Sequence, residues 1–347
     1  MVGASVSDYI SLTKPRVVVL LQITAICSVI VHDVLGQGLG GGSVRNIAVV
    51  LVGGYLTAGG ANAINMWYDS DIDPKMSRTA NRAIPTGKIS PRSALTFGIG
   101  LSAAGVYWFY YLSNSVAAFW SAFSILFYVL VYSMWLKRST PQNIVIGGIA
   151  GSTPPVIGWA ASDDALTISS ESVQSIMESV FDLGSLMPWF MFTLIFLWTP
   201  PHFWALALYR SREYAEVGVP MMPNVKGAER TIAEMKIYCV LLVLLSLAAP
   251  MSLGSIDTGD WMYYLLGFTA VCLSVWYGST IWRIDVSEQP DESGRIASAA
   301  SSFFVSMLYL ALMFIVLVAA SFGMVGAVVG ALIAMASIGR TEKLSRS

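Results

Sequence analysis

The chain has 347 residues and a formal net charge of −1; 55% of the residues are hydrophobic and only 12% are charged. A typical soluble domain has roughly twice that share of charged residues, so these residues cannot cover the surface of a soluble protein of this size. The basic residues form no isolated basic tail, which leaves a nucleic-acid partner without support.

The apolar residues are grouped into long runs, each near the roughly 20-residue length that crosses a bilayer core. Backbone groups in lipid must form their hydrogen bonds within their own segment, so the runs predict transmembrane helices. The nine runs lie at about 17–35, 44–66, 93–112, 116–135, 143–161, 188–209, 236–253, 261–282 and 302–320. We therefore predict an all-α, polytopic protein of the cell membrane with about nine transmembrane helices.

A further run at 322–338 is short and rich in glycine. If it crosses the membrane or folds back as a re-entrant hairpin, the basic residues that follow it lie on the same side as the N-terminus. If it does neither, they lie on the opposite side. We expect one transmembrane domain over 1–347, with its core at about 10–320 and this segment and tail, 322–347, as a possible addition.

The basic residues are distributed unevenly between the two sides. With the N-terminus inside, sixteen of the 20 Lys and Arg residues lie on that side, and the opposite loops hold only Arg45. Cytoplasmic loops of membrane proteins carry such an excess of basic residues. The N-terminus and the loops after the second, fourth, sixth and eighth runs are therefore predicted to be cytoplasmic.

The loop after the second run carries acidic residues at helical spacing. Asn65, Asp69 and Asp73 are four residues apart, and residues at this spacing lie on one face of a helix. Mg²⁺ prefers hard oxygen ligands and is commonly held by one or two carboxylates together with substrate phosphates. The alternative is a group of ordinary solvated loop charges, which would oppose the dipole at a helix C-terminus.

Basic side chains on the same side could bind a diphosphate, because guanidinium groups contact phosphate oxygens in pairs. For the residues after the fourth run, simple anchoring at the membrane surface is an equally good interpretation. The loop after the sixth run contains Glu213. It is a candidate catalytic residue because this loop is predicted to lie on the same cytoplasmic side as the first acidic loop. The candidate diphosphate contacts are Lys75, Arg78, Arg82, Lys137, Arg138 and Arg212.

His202 is the remaining candidate, because an ionisable residue inside a membrane segment is often functional. It follows Pro200 and Pro201 within the sixth run. The histidine could instead form a hydrogen bond that stabilises the helix at the two prolines.

Three stretches together resemble a known family. The residues 65–87, NMWYDSDIDPKMSRTANRAIPTG, are similar to the first aspartate-rich motif of the UbiA superfamily of intramembrane prenyltransferases. The residues 134–161, MWLKRSTPQNIVIGGIAGSTPPVIGWAA, and 198–231, WTPPHFWALALYRSREYAEVGVPMMPNVKGAERT, resemble its haem O synthase branch. The resemblance extends over about 10–320, and only the first motif is common to the whole superfamily.

The resemblance implies an activity and roles for the candidates. The enzyme would transfer a farnesyl group from farnesyl diphosphate to a vinyl group of protohaem IX, with Mg²⁺ as cofactor and haem as substrate. Asn65, Asp69 and Asp73 would hold the magnesium diphosphate, and His202 would contact haem. The family usually has Asp where this chain has Glu213, which leaves open whether Glu213 ligates the metal directly.

Two other functions remain alternatives. The first is prenyl transfer to another aromatic or lipid acceptor, against which the second and third motifs argue. The second is membrane transport, although transporters usually place charges near the bilayer midplane on broken helices. The resemblance leaves open whether a haem A-forming enzyme or a terminal oxidase is the downstream partner.

Overall fold

The computed structural model describes residues 4–76, 79–210, 218–254, 260–288 and 296–346. Throughout these ranges the regular structure is helical, and they contain no β-strand. The predicted all-α fold is confirmed.

The chain forms two compact units. Among the described residues, unit 1 comprises 4–29, 40–76, 79–183 and 218–221, and unit 2 comprises 30–39, 184–210, 222–254, 260–288 and 296–346. The helices that lie in unit 1, wholly or in part, are α1 (Val6–Leu12), α2 (Pro15–Leu35), α3 (Gly41–Tyr68), α4 (Pro91–Leu112), α5 (Ser115–Leu126), α6 (Asn143–Ser152), α7 (Pro154–Ser162) and α8 (Val173–Phe181). Those of unit 2 are α9 (Met187–Tyr209), α10 (Met222–Lys226), α11 (Ala228–Leu247), α12 (Ala249–Ser252), α13 (Trp261–Trp282), α14 (Ala297–Ser321) and α15 (Met324–Arg346).

In the part of the chain that the structure describes, nine helical segments are long and apolar enough to cross a membrane. Eight of them correspond to predicted runs. The ninth is the C-terminal helix, at Met324–Leu344. The predicted run at 236–253 is divided between α11 and α12, and α11 carries four charged residues in its first half, so its apolar part is too short to qualify.

Small residues allow the backbones of α3 and α4 to approach closely. A Cβ atom added at Gly60 would lie 2.6 Å from the backbone nitrogen of Ser102 and 2.8 Å from the carbonyl oxygen of Gly98. A Cβ at Gly105 would lie 2.8 Å from the backbone nitrogen of Thr57. Helices in lipid associate through this kind of small-residue contact, because burial of apolar surface gives them little driving force. The contact fixes the helix that ends at the acidic residues.

The helix α5 continues as a π-helix over Phe127–Trp135 and ends in a 3₁₀ turn, Leu136–Arg138. A π-helix has one extra residue per turn, and such segments occur often at functional sites. Here the hydroxyl of Ser133 donates to the carbonyl oxygen of Tyr128, five residues earlier, over 2.8 Å. The wider turns set the direction of the residues that follow, Lys137 and Arg138.

In unit 2, α9 packs against α11 and α14, and α13 packs against α11, α14 and α15. The last two helices are joined by a tight turn and pack closely. A Cβ atom at Gly326 would lie 1.9 Å from the carbonyl oxygen of Ala319, so no larger residue fits there. Glu342, near the end of α15, accepts from the indole of Trp276 over 3.1 Å and from Arg283 over 2.9 Å.

Candidate functional site

The helix α3 ends where the predicted acidic stripe begins. The amide nitrogen of Asn65 donates to Oδ2 of Asp69 over 3.1 Å, so these two residues share a face as predicted. The helix does not continue to Asp73, which starts a separate 3₁₀ turn. Pro74 has no backbone N–H and disfavours helical backbone at the residue before it. The prediction of one continuous helical stripe is therefore wrong for Asp73.

Asp73 is held by Arg82. The Nη1 atom of Arg82 lies 2.9 Å from Oδ1 and 2.8 Å from Oδ2 of this carboxylate. The hydroxyl of Thr79 donates to the carbonyl oxygen of Asp73 over 2.7 Å, which fixes the turn. Asp73 is only 3% exposed, whereas the neighbouring Lys75 is exposed. Arg78 lies outside the described residues.

Asp69 is held by the two basic residues at the end of α5. Lys137 Nζ bonds to Asp69 Oδ2, and Arg138 Nη2 lies 3.4 Å from Oδ1. Arg138 also makes two hydrogen bonds of 2.7 Å to the carboxylate of Asp71. The side chain of Asp69 is 2% exposed and that of Asp71 is 59% exposed. The structure therefore brings Lys137 and Arg138 to the buried acid.

Two residues at this site were not among the predicted ones. Nζ of Lys14 donates to Oδ1 of Asn65 over 2.8 Å, and the Asn65 amide nitrogen also contacts the hydroxyl of Ser133 at 3.0 Å. Asn65 is 3% exposed. The sequence carried one signal for Lys14, which is a basic residue directly before Pro15 and an apolar run. No signal distinguished Ser133 from other serines.

The backbone and the charge of Lys14 are both unusual. Its φ of 51° makes it the one described non-glycine residue with positive φ, and such strained residues are concentrated at functional sites. Burial, together with repulsion by Arg82 and Lys137, lowers the pKa of Lys14 to about 7. Attraction by Asp69 and Asp73 opposes this shift, so the Lys14 ammonium lies within electrostatic reach of both carboxylates.

These residues form an acid–cation cluster at one end of the unit 1 helices. Its members are Asn65, Asp69, Asp73, Lys14, Arg82, Lys137 and Arg138. Removing one partner of a buried ion pair is strongly destabilising, so each buried carboxylate needs its cation. The cluster thus presents two carboxylates and an amide oxygen, the hard ligands that suit Mg²⁺.

The described residues contain no group of three His, Cys, Asp or Glu side chains arranged to hold a metal ion. Arg212 and Glu213, in the loop after the sixth apolar run, lie outside the described residues. The nearest described part of that loop is held beside α6, because the amide of Asn143 contacts the carbonyl oxygen of Pro220 at 3.4 Å.

His202 lies in unit 2, in a slot between aromatic rings. The imidazole stacks on Trp198 with ring centroids 4.2 Å apart and on Phe303 at 4.8 Å. Its Nδ1 atom lies 2.6 Å from the hydroxyl of Ser306, and the residue is 7% exposed. The two prolines before it lie inside a helix that runs unbroken from Met187 to Tyr209.

The family model of the UbiA prenyltransferase family matches residues 25–304. The chain belongs to this family. It is therefore a prenyltransferase that spans the membrane several times.

Curated relatives from three bacteria have the same name. Protoheme IX farnesyltransferase of Granulibacter bethesdensis is 41% identical over 323 residues, which cover 90% of each chain. The enzyme of that name from Beijerinckia indica is 41% identical over 90% of this chain and 87% of its own. The one from Sinorhizobium fredii is 43% identical over 88% of this chain and 86% of its own.

Solved structures share the fold at low sequence identity. A digeranylgeranylglyceryl phosphate synthase superposes with a TM-score of 0.66 at 15% identity and covers 92% of this chain and 99% of its own. A UbiA homologue of Archaeoglobus fulgidus bound to GPP and Mg²⁺ superposes with a TM-score of 0.57 at 15% identity, over 91% of this chain and 100% of its own. These likenesses confirm the predicted UbiA-like helical fold.

Proposed function

We propose that this prenyltransferase transfers a farnesyl group from farnesyl diphosphate to a vinyl group of protohaem IX, giving haem O. The relatives named protoheme IX farnesyltransferase, at about 41% identity over 90% of the chain, support this choice of substrates. The observation that carries the reaction type is the buried acid–cation cluster, in which each acidic side chain already contacts a cation.

The acidic residues are suited to hold magnesium diphosphate. Asp69 and Asp73 supply carboxylate oxygens, and Asn65 supplies an amide oxygen, all from positions no more than 3% exposed. These three residues would hold Mg²⁺ with the diphosphate, and the metal would supply positive charge that stabilises the leaving group. The complex of the archaeal homologue with GPP and Mg²⁺ supports this cofactor.

The basic residues have to exchange partners during binding. In the structure, Arg82 contacts Asp73, Lys137 contacts Asp69 and Lys14 contacts Asn65. A diphosphate offers stronger acceptors, and the metal supplies the positive charge that the carboxylates lose. We expect these three side chains to turn to the diphosphate oxygens, where fixed cations stabilise the leaving group. Lys75, Arg78 and Arg212 remain predicted contacts of the same kind.

The bond changes follow from the substrates. The C–O bond of farnesyl diphosphate breaks, and pyrophosphate leaves with the electron pair. The vinyl group attacks the resulting allylic cation, which forms a C–C bond and moves the positive charge to the vinyl carbon next to the porphyrin ring. Water adds to that carbon and loses a proton, giving the hydroxyethylfarnesyl side chain. Apolar helices around the reacting groups would protect the first cation from water.

His202 is proposed as a haem contact within unit 2. Its imidazole is buried between two aromatic rings, a surrounding that suits a flat apolar macrocycle with a metal centre. Histidine is a common axial ligand of haem iron. Glu213 remains a predicted catalytic residue of the magnesium diphosphate site.

We further propose that the protein lies in the cell membrane with its N-terminus and the acid–cation cluster on the cytoplasmic side, because sixteen of 20 basic residues then lie inside. If α11 and α12 together cross, the C-terminal helix is a tenth span and returns the last basic residues to the cytoplasm. We also keep two predictions from the sequence. The chain forms one transmembrane domain over 1–347, and its partner is a haem A-forming enzyme or a terminal oxidase.

The experiment is a product assay with purified protein. The protein in detergent is incubated with haem, farnesyl diphosphate and Mg²⁺, and the porphyrin fraction is examined by mass spectrometry. We expect the mass of haem O. Parallel reactions replace haem by a prenyl-accepting aromatic acid or a glycerol phosphate lipid. A prenylated product in those reactions, and none with haem, would assign a different acceptor.

A further inference from the structure

Ser306 of α14 contacts two residues of α9 that lie one helical turn apart. The indole N–H of Trp198 donates to the carbonyl oxygen of Ser306 over 2.8 Å. The Nδ1 atom of His202 lies 2.6 Å from the hydroxyl oxygen of Ser306. Ser306 is fully buried, so this junction is shielded from solvent, and the hydroxyl of Tyr277 is a further group within reach of its side chain.

The hydroxyl proton of Ser306 already has an acceptor. Its Oγ lies 2.6 Å from the carbonyl oxygen of Phe303, and a carbonyl oxygen can only accept. A serine hydroxyl has one proton and two lone pairs. Because that proton is directed to Phe303, Oγ must accept the hydrogen bond that links it to His202. The donor is therefore the Nδ1–H group of the imidazole.

This assignment also determines the protonation of the other ring nitrogen, Nε2. A neutral imidazole carries one N–H, so a protonated Nδ1 leaves Nε2 with a free lone pair. Among the described residues, His202 has no hydrogen bond other than the one to Ser306, and no Asp or Glu pairs with it. A buried imidazole without an acidic partner is expected to be neutral, which leaves Nε2 unprotonated.

We propose that Ser306 is a positioning residue that fixes His202 in the Nδ1–H form, so that Nε2 can ligate the iron of the haem substrate. The inference rests on the proposed function for its ligand. Histidines that bind metals usually donate their other N–H to a fixed acceptor, which sets the tautomer and the orientation of the ring. The stacked rings of Trp198 and Phe303 restrict rotation of the imidazole plane.

The first test reads the tautomer directly and needs neither haem nor activity. The chain has only two histidines, His32 and His202, so ¹⁵N-histidine labelling and a His32→Gln variant assign every imidazole signal. In lipid, we expect Nδ1 of His202 at the protonated nitrogen position and Nε2 at the unprotonated one. A protonated Nε2 in the wild-type protein would overturn the inference.

The second test measures haem binding in variants. Ser306→Ala removes the acceptor and is expected to weaken ferric haem binding about tenfold, the lower end of the effect of losing such a partner. At haem concentrations below saturation it should also reduce the optical shift that accompanies formation of the iron–imidazole bond. Ser306→Thr keeps a hydroxyl and should restore both. Ser302→Ala is the matched control, since Ser302 is equally buried one turn earlier on α14 and bonds to Thr280 instead.

The outcomes separate this inference from the proposed function. Haem O formation with a protonated Nε2, or with unchanged haem spectra in Ser306→Ala, would overturn the role of Ser306 and leave the function standing. If Nδ1 carries the proton but a different acceptor is prenylated, both the proposed substrate and the proposed bond from Nε2 to haem iron would be refuted.

Discussion

Two neighbouring carboxylates allow a matched test of the acid–cation cluster. Asp69 and Asp71 both contact Arg138, but their side chains are 2% and 59% exposed. Asp69→Asn leaves Lys137 without its counter-charge in a buried site, where breaking an ion pair costs about 3–5 kcal/mol. Asp71→Asn breaks a solvated pair that is worth under about 1 kcal/mol. We expect the first change to lower stability far more than the second.

The same pair of variants separates catalysis from charge at the membrane surface. Each substitution removes one negative charge at the end of the same helix, and only Asp69 is proposed to hold the metal diphosphate. Thermal unfolding in detergent and haem O formation are measured for both variants. We expect Asp69→Asn to lose turnover and Asp71→Asn to keep most of it. Equal losses in the two variants, in stability or in turnover, would refute the reasoning from burial.

Three further predictions use other contacts. Gly60→Val should destabilise the protein by about 2 kcal/mol or more in thermal unfolding, because its side chain would strike the backbone of Ser102. Gly100→Ala is the control and should be neutral, because nothing lies within 4 Å of the added Cβ. Equal losses of stability in the two variants would exclude close packing as the cause. Lys14→Met should raise the KM for farnesyl diphosphate at least tenfold, the effect of losing a charged hydrogen bond. Arg16 is exposed, so Arg16→Met should change the KM little. Similar increases in both variants would point to general surface charge. A chelator should abolish turnover reversibly, with Mg²⁺ restoring it and the protein staying folded by circular dichroism; turnover that persists without divalent metal would remove the metal from the account.

The sequence predicted the fold class because bilayer thickness sets the length of apolar runs, and this constraint is local. Eight of the nine candidate spans follow from it directly. The run at 236–253 is not among these candidates, because charged residues begin the helix before its apolar part. The sequence does not decide the C-terminal helix, because its high glycine content lowers helix propensity, whereas close packing against α14 favours it in the structure.

At the site, local spacing was sufficient for Asn65 in the last turn of α3 and Asp69 directly after it. It failed for Asp73, because α3 ends at Tyr68 and Asp73 begins a separate 3₁₀ turn. The approach of Lys14 and Ser133 to Asn65 joins residues 51 and 68 positions apart, and hydropathy contains no information on such distant contacts. The role of Ser306 depends on where a single hydroxyl proton goes, which becomes visible only once the partners are placed.

The most direct measurement of the central claim is metal binding at the acid–cation cluster. Electron paramagnetic resonance counts Mn²⁺ bound to the full-length protein in detergent, with a farnesyl diphosphate analogue that does not ionise. We expect one tightly bound Mn²⁺ that depends on the analogue, and its loss when Asp69 and Asp73 are both changed to Asn. Unchanged Mn²⁺ binding in that folded double variant would contradict the account.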